Sequence, residues 1–347
     1  MLDALFIRHI TQGPLDWTTG PHRPDSEQDT SEQQNHPHMT ILQVIFPIFA
    51  VALVGYVAVY KGILDARDTE GISRFVFNIT LPALLFSSLA RVELPAQFNW
   101  KFLFSYYVVA LIVYGLGVMV SRYWFAHSFQ EQGVFGLGAS FSNVVLVGLP
   151  VISVGLGDVA LLPLFMIVSI HSAVLLFVFM VWMERGNGRG HSRRQIVYQT
   201  VKKLVRNPII VSLALGLVFN LLAIPIPPLV DNILGILSRA TLPCALFVIG
   251  ASLNKYKITG HFAEALTMVS LKMVLQPFLV WLLAFVVFRI DPLWGTVAVM
   301  VAGMPIGITA FVFAQEYQAG IAVLSTSIFL STLLAVLSQS LLLAVFI

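Results

Sequence analysis

"FSNVVLVGLPVISVGLGD", residues 141–158, decides how this chain is read. It lies in an apolar run, yet it carries Asn143, Pro150 and the glycines Gly148, Gly155 and Gly157, which a uniform membrane helix has little use for. In hydrocarbon an unpaired backbone group is costly, so non-helical backbone persists at depth only where protein surrounds it or where it lines a wet cavity. A helix broken here points to a site.

The surroundings justify the word hydrocarbon. With 58% hydrophobic residues, 11% charged residues and a mean hydropathy of +0.87, the chain cannot wet the surface of a soluble domain. It reads as an all-α integral membrane protein. Apolar runs of about 20 residues, the length that crosses a bilayer, occur ten times: 41–60, 71–89, 102–120, 134–155 and 160–182, then 208–223, 230–252, 270–288, 292–314 and 321–347. The sole cysteine, Cys244, excludes an intrachain disulfide and a cysteine-built metal site, and it reads as a packing residue.

Residues 1–40 hold four histidines, several glutamines and no long apolar run, and they lack a basic start followed by a hydrophobic segment. They read as a disordered tail, and Met39 is expected to be the true start or the tail to be dispensable. "HPH" at 36–38 reads as solvated tail rather than a metal site. Between the two sets of spans lies "ERGNGRGHSRRQIVYQTVKKLVRN", residues 184–207, the one substantial internal polar stretch.

Loop charges set the expected orientation. One set of alternate loops holds thirteen basic residues: Lys61, Arg67, Arg74, Arg122, Arg185, Arg189, Arg193, Arg194, Lys202, Lys203, Arg206, Lys255 and Lys257. The other holds three, Arg91, Lys101 and Arg289. The linker is therefore expected in the cytoplasm and both termini outside, in a cell inner (plasma) membrane. Its basicity reads as a topology signal beside anionic lipid, not as a nucleic-acid site.

The halves repeat. "TLPALLF", residues 80–86, returns as "TLPCALF", residues 241–247, and the same offset of 161 carries Pro47 onto Pro208 and Gly55 onto Gly216. "VGLP", residues 147–150, meets "AGMP", residues 302–305, at an offset of 155. Five spans per half is odd, so the second half must be inverted. The expected fold is a 5+5 inverted repeat over residues 41–182 and 208–347, joined by the basic linker 183–207, with helices four and nine broken and crossing.

A Gly-x-Pro in both broken spans has a chemical consequence. Pro150 and Pro305 fit the first turn of a new half-helix, and Gly148 and Gly303 are expected to let the chains cross closely. Inversion then aims two half-helix N-termini, each partly positive, at one point near the midplane. Free amides and dipole ends of that sign make an anion site.

"SNVVLVGLP", residues 142–150, and "MPIGITAFVFAQEY", residues 304–317, resemble the fourth- and ninth-span motifs of the auxin efflux carrier family, which includes plant auxin exporters and bacterial malonate and malate permeases. The resemblance runs from about Thr40 to Ile347. Such carriers are similar in fold to sodium/bile-acid symporters and sodium/proton antiporters. The resemblance implies an elevator-type carrier of organic anions, with helices 1, 2, 6 and 7 as scaffold, helices 3–5 and 8–10 as transport domain, and a homodimer through the scaffold. The long hydrophilic loop of many plant members is missing, and Val144 and Ala310 stand where plant carriers usually have Thr and Pro.

Asn143, seven residues before Pro150, matches the family's binding asparagine, with Ser142 as a weaker neighbour. Gly303, Met304, Gly307 and Ile308 would offer backbone and apolar wall, and Thr309 a hydroxyl. Lys272 within a span needs a cavity or a partner, and Gln276 lies one turn deeper on the same face. Snorkelling to the interface competes with a pathway role for this pair. His171 suits either a proton relay or a packed, hydrogen-bonded ring. Asn78 aligns with Arg239 at the offset of 161, and both could anchor helix ends.

No cofactor, metal site or catalytic constellation is expected: H-E-x-x-H, G-x-S-x-G and paired intramembrane aspartates are all missing from the sequence. The reading is a secondary transporter of a carboxylate such as malonate, malate or an auxin-like weak acid. A sodium-coupled bile-acid-type symporter is the alternative, and clustered acid and amide ligands at the crossing would mark it.

Overall fold

The computed structural model describes residues 41–92, 94, 99–187, 206–256 and 260–346. The N-terminal tail and most of the basic linker lie outside the described residues. Helices account for nearly all the rest: α1 (Ile41–Tyr60), α2 (Ala66–Arg91), α3 (Trp100–Tyr123), α4 (Phe129–Ser140), α5 (Val144–Leu156), α6 (Leu161–Asn187), α7 (Pro208–Leu221), α8 (Pro228–Leu253), α9 (Phe262–Val287), α10 (Pro292–Ala302), α11 (Ile308–Glu316) and α12 (Ile321–Phe346).

Among the described residues six helices are long and apolar enough to cross a bilayer, namely Ala66–Arg91, Trp100–Tyr123, Asp158–Met183, Pro228–Leu253, Phe262–Val287 and Ile321–Phe346. Shorter apolar helices cover Phe46–Tyr60, Val144–Leu156, Pro208–Leu221 and Pro292–Ala302. Two spans run longer than their apolar cores, because polar caps extend them. Asp65 and Asp68 close a reciprocal capping box ahead of α2, and α9 starts at Phe262 with Glu264 in its first turn.

Prolines shape the helices in a repeated way. Val76–Thr80, Val144–Gly148 and Leu271–Leu275 are widened π-turns, and each stands just ahead of a proline: Pro82, Pro150 and Pro277. Proline cannot donate to the carbonyl one turn back, and its ring pushes that carbonyl away, so the turn relaxes to i→i−5 bonding.

The helices pack in two groups. In the first, α1 lies along α8, α2 lies along α7, and α2 also touches α8. A methyl group at Gly216 of α7 would sit 2.8 Å from the Phe86 carbonyl oxygen of α2, and Gly55 of α1 has no room for one against the Phe247 carbonyl of α8. Phe86 and Phe219 stack edge to face beside the α2–α7 contact at 5.1 Å. The second group joins α3 to α4 and α9, α4 to α6, and α9 to α10 and α12.

Within the second group α4 and α10 both stop inside the protein. Residues 141–143 and 303–307 run extended or irregular and meet in one antiparallel bridge, Ser142 with Ile306. The Asn143 N–H donates to the Pro305 carbonyl and the Gly307 N–H to the Phe141 carbonyl, both at 2.9 Å. Each broken strand thus satisfies backbone groups of the other, the condition for leaving the helix in hydrocarbon.

Both breaks differ from expectation: Pro305 lies in the irregular segment ahead of α11, which starts at Ile308, rather than in its first turn. Pro150 stands at the second position of a helical stretch rather than at the break, which lies at 141–143. Gly148 is helical (φ −63, ψ −47), and a Cβ there would meet nothing nearer than 3.6 Å. The close approach belongs to Gly307, where a Cβ would lie 2.5 Å from the Phe141 ring and 3.1 Å from the Ser142 carbonyl. Gly303 is tight against α12, with Leu342 at 2.7 Å, rather than against the other broken strand.

Candidate binding site

A cavity of about 430 Å³ opens beside the crossing. Its floor is the first turn of each half-helix, Ser142–Leu146 of one and Gly307–Thr309 of the other. Phe77 and Asn78 of α2, His171 and Ser172 of α6, and Asn207 at the start of α7 complete the wall. Among the described residues none that lines it is acidic.

Asn143 does two jobs. Its Oδ1 accepts the Leu146 N–H at 3.3 Å and so caps α5, which leaves the amide Nδ2 buried and without a partner among the described residues. His171 is similar. It is 3% exposed, and its Nε2 accepts the Ser142 N–H at 3.2 Å, so Nε2 is the bare nitrogen and a neutral ring carries its proton on Nδ1. Nδ1 is also buried without a partner among the described residues. Phe141 packs on the imidazole at 4.6 Å between ring centres, and the Tyr106 hydroxyl pairs with Ser142 Oγ at 3.0 Å. Two residues that line one cavity, beside the uncapped N-terminus of α11, thus each keep a buried donor with unused capacity.

The other side of the crossing is chemically opposite. Lys272, fully buried, donates through Nζ to the Ala302 carbonyl at the end of α10. Gln339 of α12 donates to the Gly303 carbonyl at 2.8 Å, and Gln276 to the Ser140 carbonyl at the end of α4 at 3.4 Å. Ser331 Oγ accepts the Ile306 N–H at 3.2 Å. A cation and amide N–H groups at the negative ends of two half-helices are favourably placed.

The structure thus gathers Ser142, Asn143, Gly307, Ile308, Thr309 and His171 on one cavity. Gly148, Pro150, Gly303, Met304, Pro305, Lys272 and Gln276 are not among its lining residues. Asn78, weighed as either a contact or a helix-end anchor, lines the cavity, whereas Asn207, Gln339, Ser331 and Tyr106 were not anticipated at the site. Gln339 carried a signal, since an amide side chain within an apolar span asks for a partner, whereas Ser331 is one of several hydroxyl residues along α12 and did not stand out. Tyr106 carried none.

The sequence matches the family described as "Membrane transport protein" over residues 40–343. The chain belongs to this family. Its members are membrane transporters, not enzymes, and the bacterial permeases and auxin efflux carriers are among its relatives. The chain is 24% identical to the "Putative malonate transporter" of Rhizobium meliloti (strain 1021) over 300 residues, covering 85% of this chain and 92% of that one. It is 25% identical to the auxin efflux carrier component 8 of Arabidopsis thaliana, over 84% of this chain and 95% of that one. A lysosomal cholesterol signaling protein of Mus musculus is 25% identical over 62% of this chain and 26% of its own length. This multi-pass membrane transporter therefore has relatives with different printed substrates, and its own must be argued from the cavity.

Proposed function

We propose that this transporter carries a small organic carboxylate, with malonate, malate and auxin-like weak acids as the candidate class. The observation that carries the reading is the pair of buried, unpartnered donors, Asn143 Nδ2 and His171 Nδ1, in two residues that line a cavity with no acidic residue among its described lining. A buried donor left unpaired costs about 1–3 kcal/mol, and a carboxylate offers about four lone-pair sites with which to satisfy two of them. The N-terminal turns of α5 and α11 add partial positive charge of the same sense. Sodium coupling of the bile-acid type would call for acid ligands here, and the lining offers none.

We infer an elevator-type cycle in which α3–α6 and α9–α12 shift against a scaffold of α1, α2, α7 and α8. The denser packing within each group supports this, with α5 and α12 also touching α1 and the cavity lying where α2 and α7 meet α5 and α6. The ten-span inverted repeat is supported by an exchange of equivalent contacts: Gly55 against Phe247 and Gly216 against Phe86, each pair related by the offset of 161. A homodimer through the scaffold, an inner-membrane location, a cytoplasmic linker and outward termini complete the proposal.

Uptake of labelled malonate, malate and indole-acetate into proteoliposomes, each with and without a proton or sodium gradient, tests the reading. Saturable accumulation of at least one is expected. A protein that inserts and folds yet moves none of the three overturns it.

A further inference from the structure

The seam between α2 and α6 holds a second opening. The candidate site uses Phe77 and Asn78 of α2 and Val168 and His171 of α6. Farther along both helices a cavity of about 360 Å³ is lined by Ser87, Ser88 and Arg91 of α2 and by Asp158, Leu161 and Phe165 at the start of α6. At ~1.5 Å per residue, the nine positions from Asn78 to Ser87 separate the two by about 13 Å along α2. A further cavity of about 630 Å³ shares Ser87 and Arg91 and adds Asp231, Ser238 and Arg239 of α8. The two that share Arg91 make one vestibule at the end of α2 remote from Asn207 and the linker.

The vestibule is built of different chemistry from the first cavity. Arg91 forms an ion pair with Asp231, and both side chains remain about half exposed. Arg239 is exposed and has no ion-pair partner among the described residues, although it sits eleven residues into α8. Ser238 Oγ is buried without a partner among the described residues. Arg239 also occupies the position that Asn78 holds in the first half, at the offset of 161. One mouth of the seam thus presents an amide where the other presents a guanidinium.

We propose that Arg91 and Arg239 form the anion-capturing mouth of the transport path on the side opposite the linker, and that a substrate carboxylate displaces Asp231 from Arg91. The proposal rests on the carboxylate-carrier reading. Exchanging one carboxylate for another keeps the Arg91 guanidinium paired throughout, and the displaced Asp231 carboxylate, about half exposed, is taken up by water. A guanidinium fork holds a carboxylate through two charge-assisted bonds, whereas an amide offers neutral ones. Capture on the arginine side therefore saturates at lower substrate concentration than entry from the linker side.

The test compares initial uptake of the best of the three labelled acids into intact cells and into inverted membrane vesicles, which expose opposite faces. Arg91→Gln and Arg239→Gln are expected to raise half-saturation about tenfold for entry from the face opposite the linker, and to change entry from the linker face by less than about twofold. Asp231→Asn is expected to lower it on the same face. Arg91→Lys, which keeps the charge and guards against misfolding, should fall between wild type and Arg91→Gln. Equal changes at both faces, or none, in a protein that still transports would overturn the proposal alone. Wild type inactive from both faces overturns the carrier reading beneath it. Phosphate headgroups share the substrate's chemistry, so Arg91→Gln is also measured in proteoliposomes with and without phosphatidylglycerol. An effect confined to the anionic lipid assigns the arginines to lipid and overturns the proposal too.

Discussion

The two faces of the helix crossing do opposite things with the same problem. Both border backbone that has left the helix inside a bilayer. On the face toward α9 and α12, Lys272, Gln276, Gln339 and Ser331 each meet a backbone group of a broken end. On the face toward α2, α6 and α7, Asn143 and His171 satisfy one backbone N–H each and keep a second nitrogen unpartnered. The donors of the first face hold the break in place, while its spare groups are acceptors: Gln276 Oε1 and Gln339 Oε1 are buried without a partner among the described residues. The spare groups of the second face are donors, which suit a ligand that brings acceptors.

The largest effect should come from stripping the donors of the face toward α9 and α12. Lys272→Met and Gln339→Leu each leave one buried carbonyl without its donor, at a cost of about 1–3 kcal/mol apiece. The double variant should insert poorly or lose its thermal transition in detergent. If both single variants melt as wild type does, the claim that this face holds the breaks is wrong, and the relief from desolvating Lys272 outweighs its hydrogen bond.

Next in size is a contrast of two glycines. Gly307→Ala places a methyl against the Phe141 ring and the Ser142 carbonyl, an overpacking that should cost about 1–3 kcal/mol and reduce transport. Gly148→Ala, in helical backbone with space for a Cβ, should be neutral or more stable by up to about 1 kcal/mol. Thermal melts of the pair check this directly. Equal destabilisation would move the crossing back toward the Gly-x-Pro of the first half.

This contrast also shows what the sequence revealed and what it hid. The breaks were legible because Asn, Gly and Pro are out of place in an apolar run, and their duplication in the two halves made a mere kink a poor explanation. The crossing point was not legible from Pro150. Backbone pairing between Ser142 and Ile306 depends on main-chain groups that every residue carries, so side-chain identity marks it only through Gly307, which must be small. A widened turn instead precedes Pro82, Pro150 and Pro277 while the helix continues unbroken, although Pro47 and Pro243 sit in ordinary α-helix and Leu282–Val287 widens without a proline. Asn143, expected to contact substrate, lines the cavity and also caps Leu146, which the sequence did not announce, and this changes the choice of variant. Asn143→Ala removes cap and donor together, so a loss of binding could reflect a frayed α5.

Asn143→Ser separates the two roles, since a serine oxygen still caps a helix while the amide nitrogen is gone. Binding of malonate, malate and indole-acetate to purified wild type and Asn143→Ser, with a thermal melt of each, therefore tests the central claim most directly. Two unpartnered donors serving a carboxylate predict that Kd for the tightest of the three rises about tenfold, the equivalent of losing one good hydrogen bond, while the melting temperature stays close to that of wild type. An unchanged Kd in a protein that folds and binds would contradict the account and leave the crossing as a packed junction rather than a binding site.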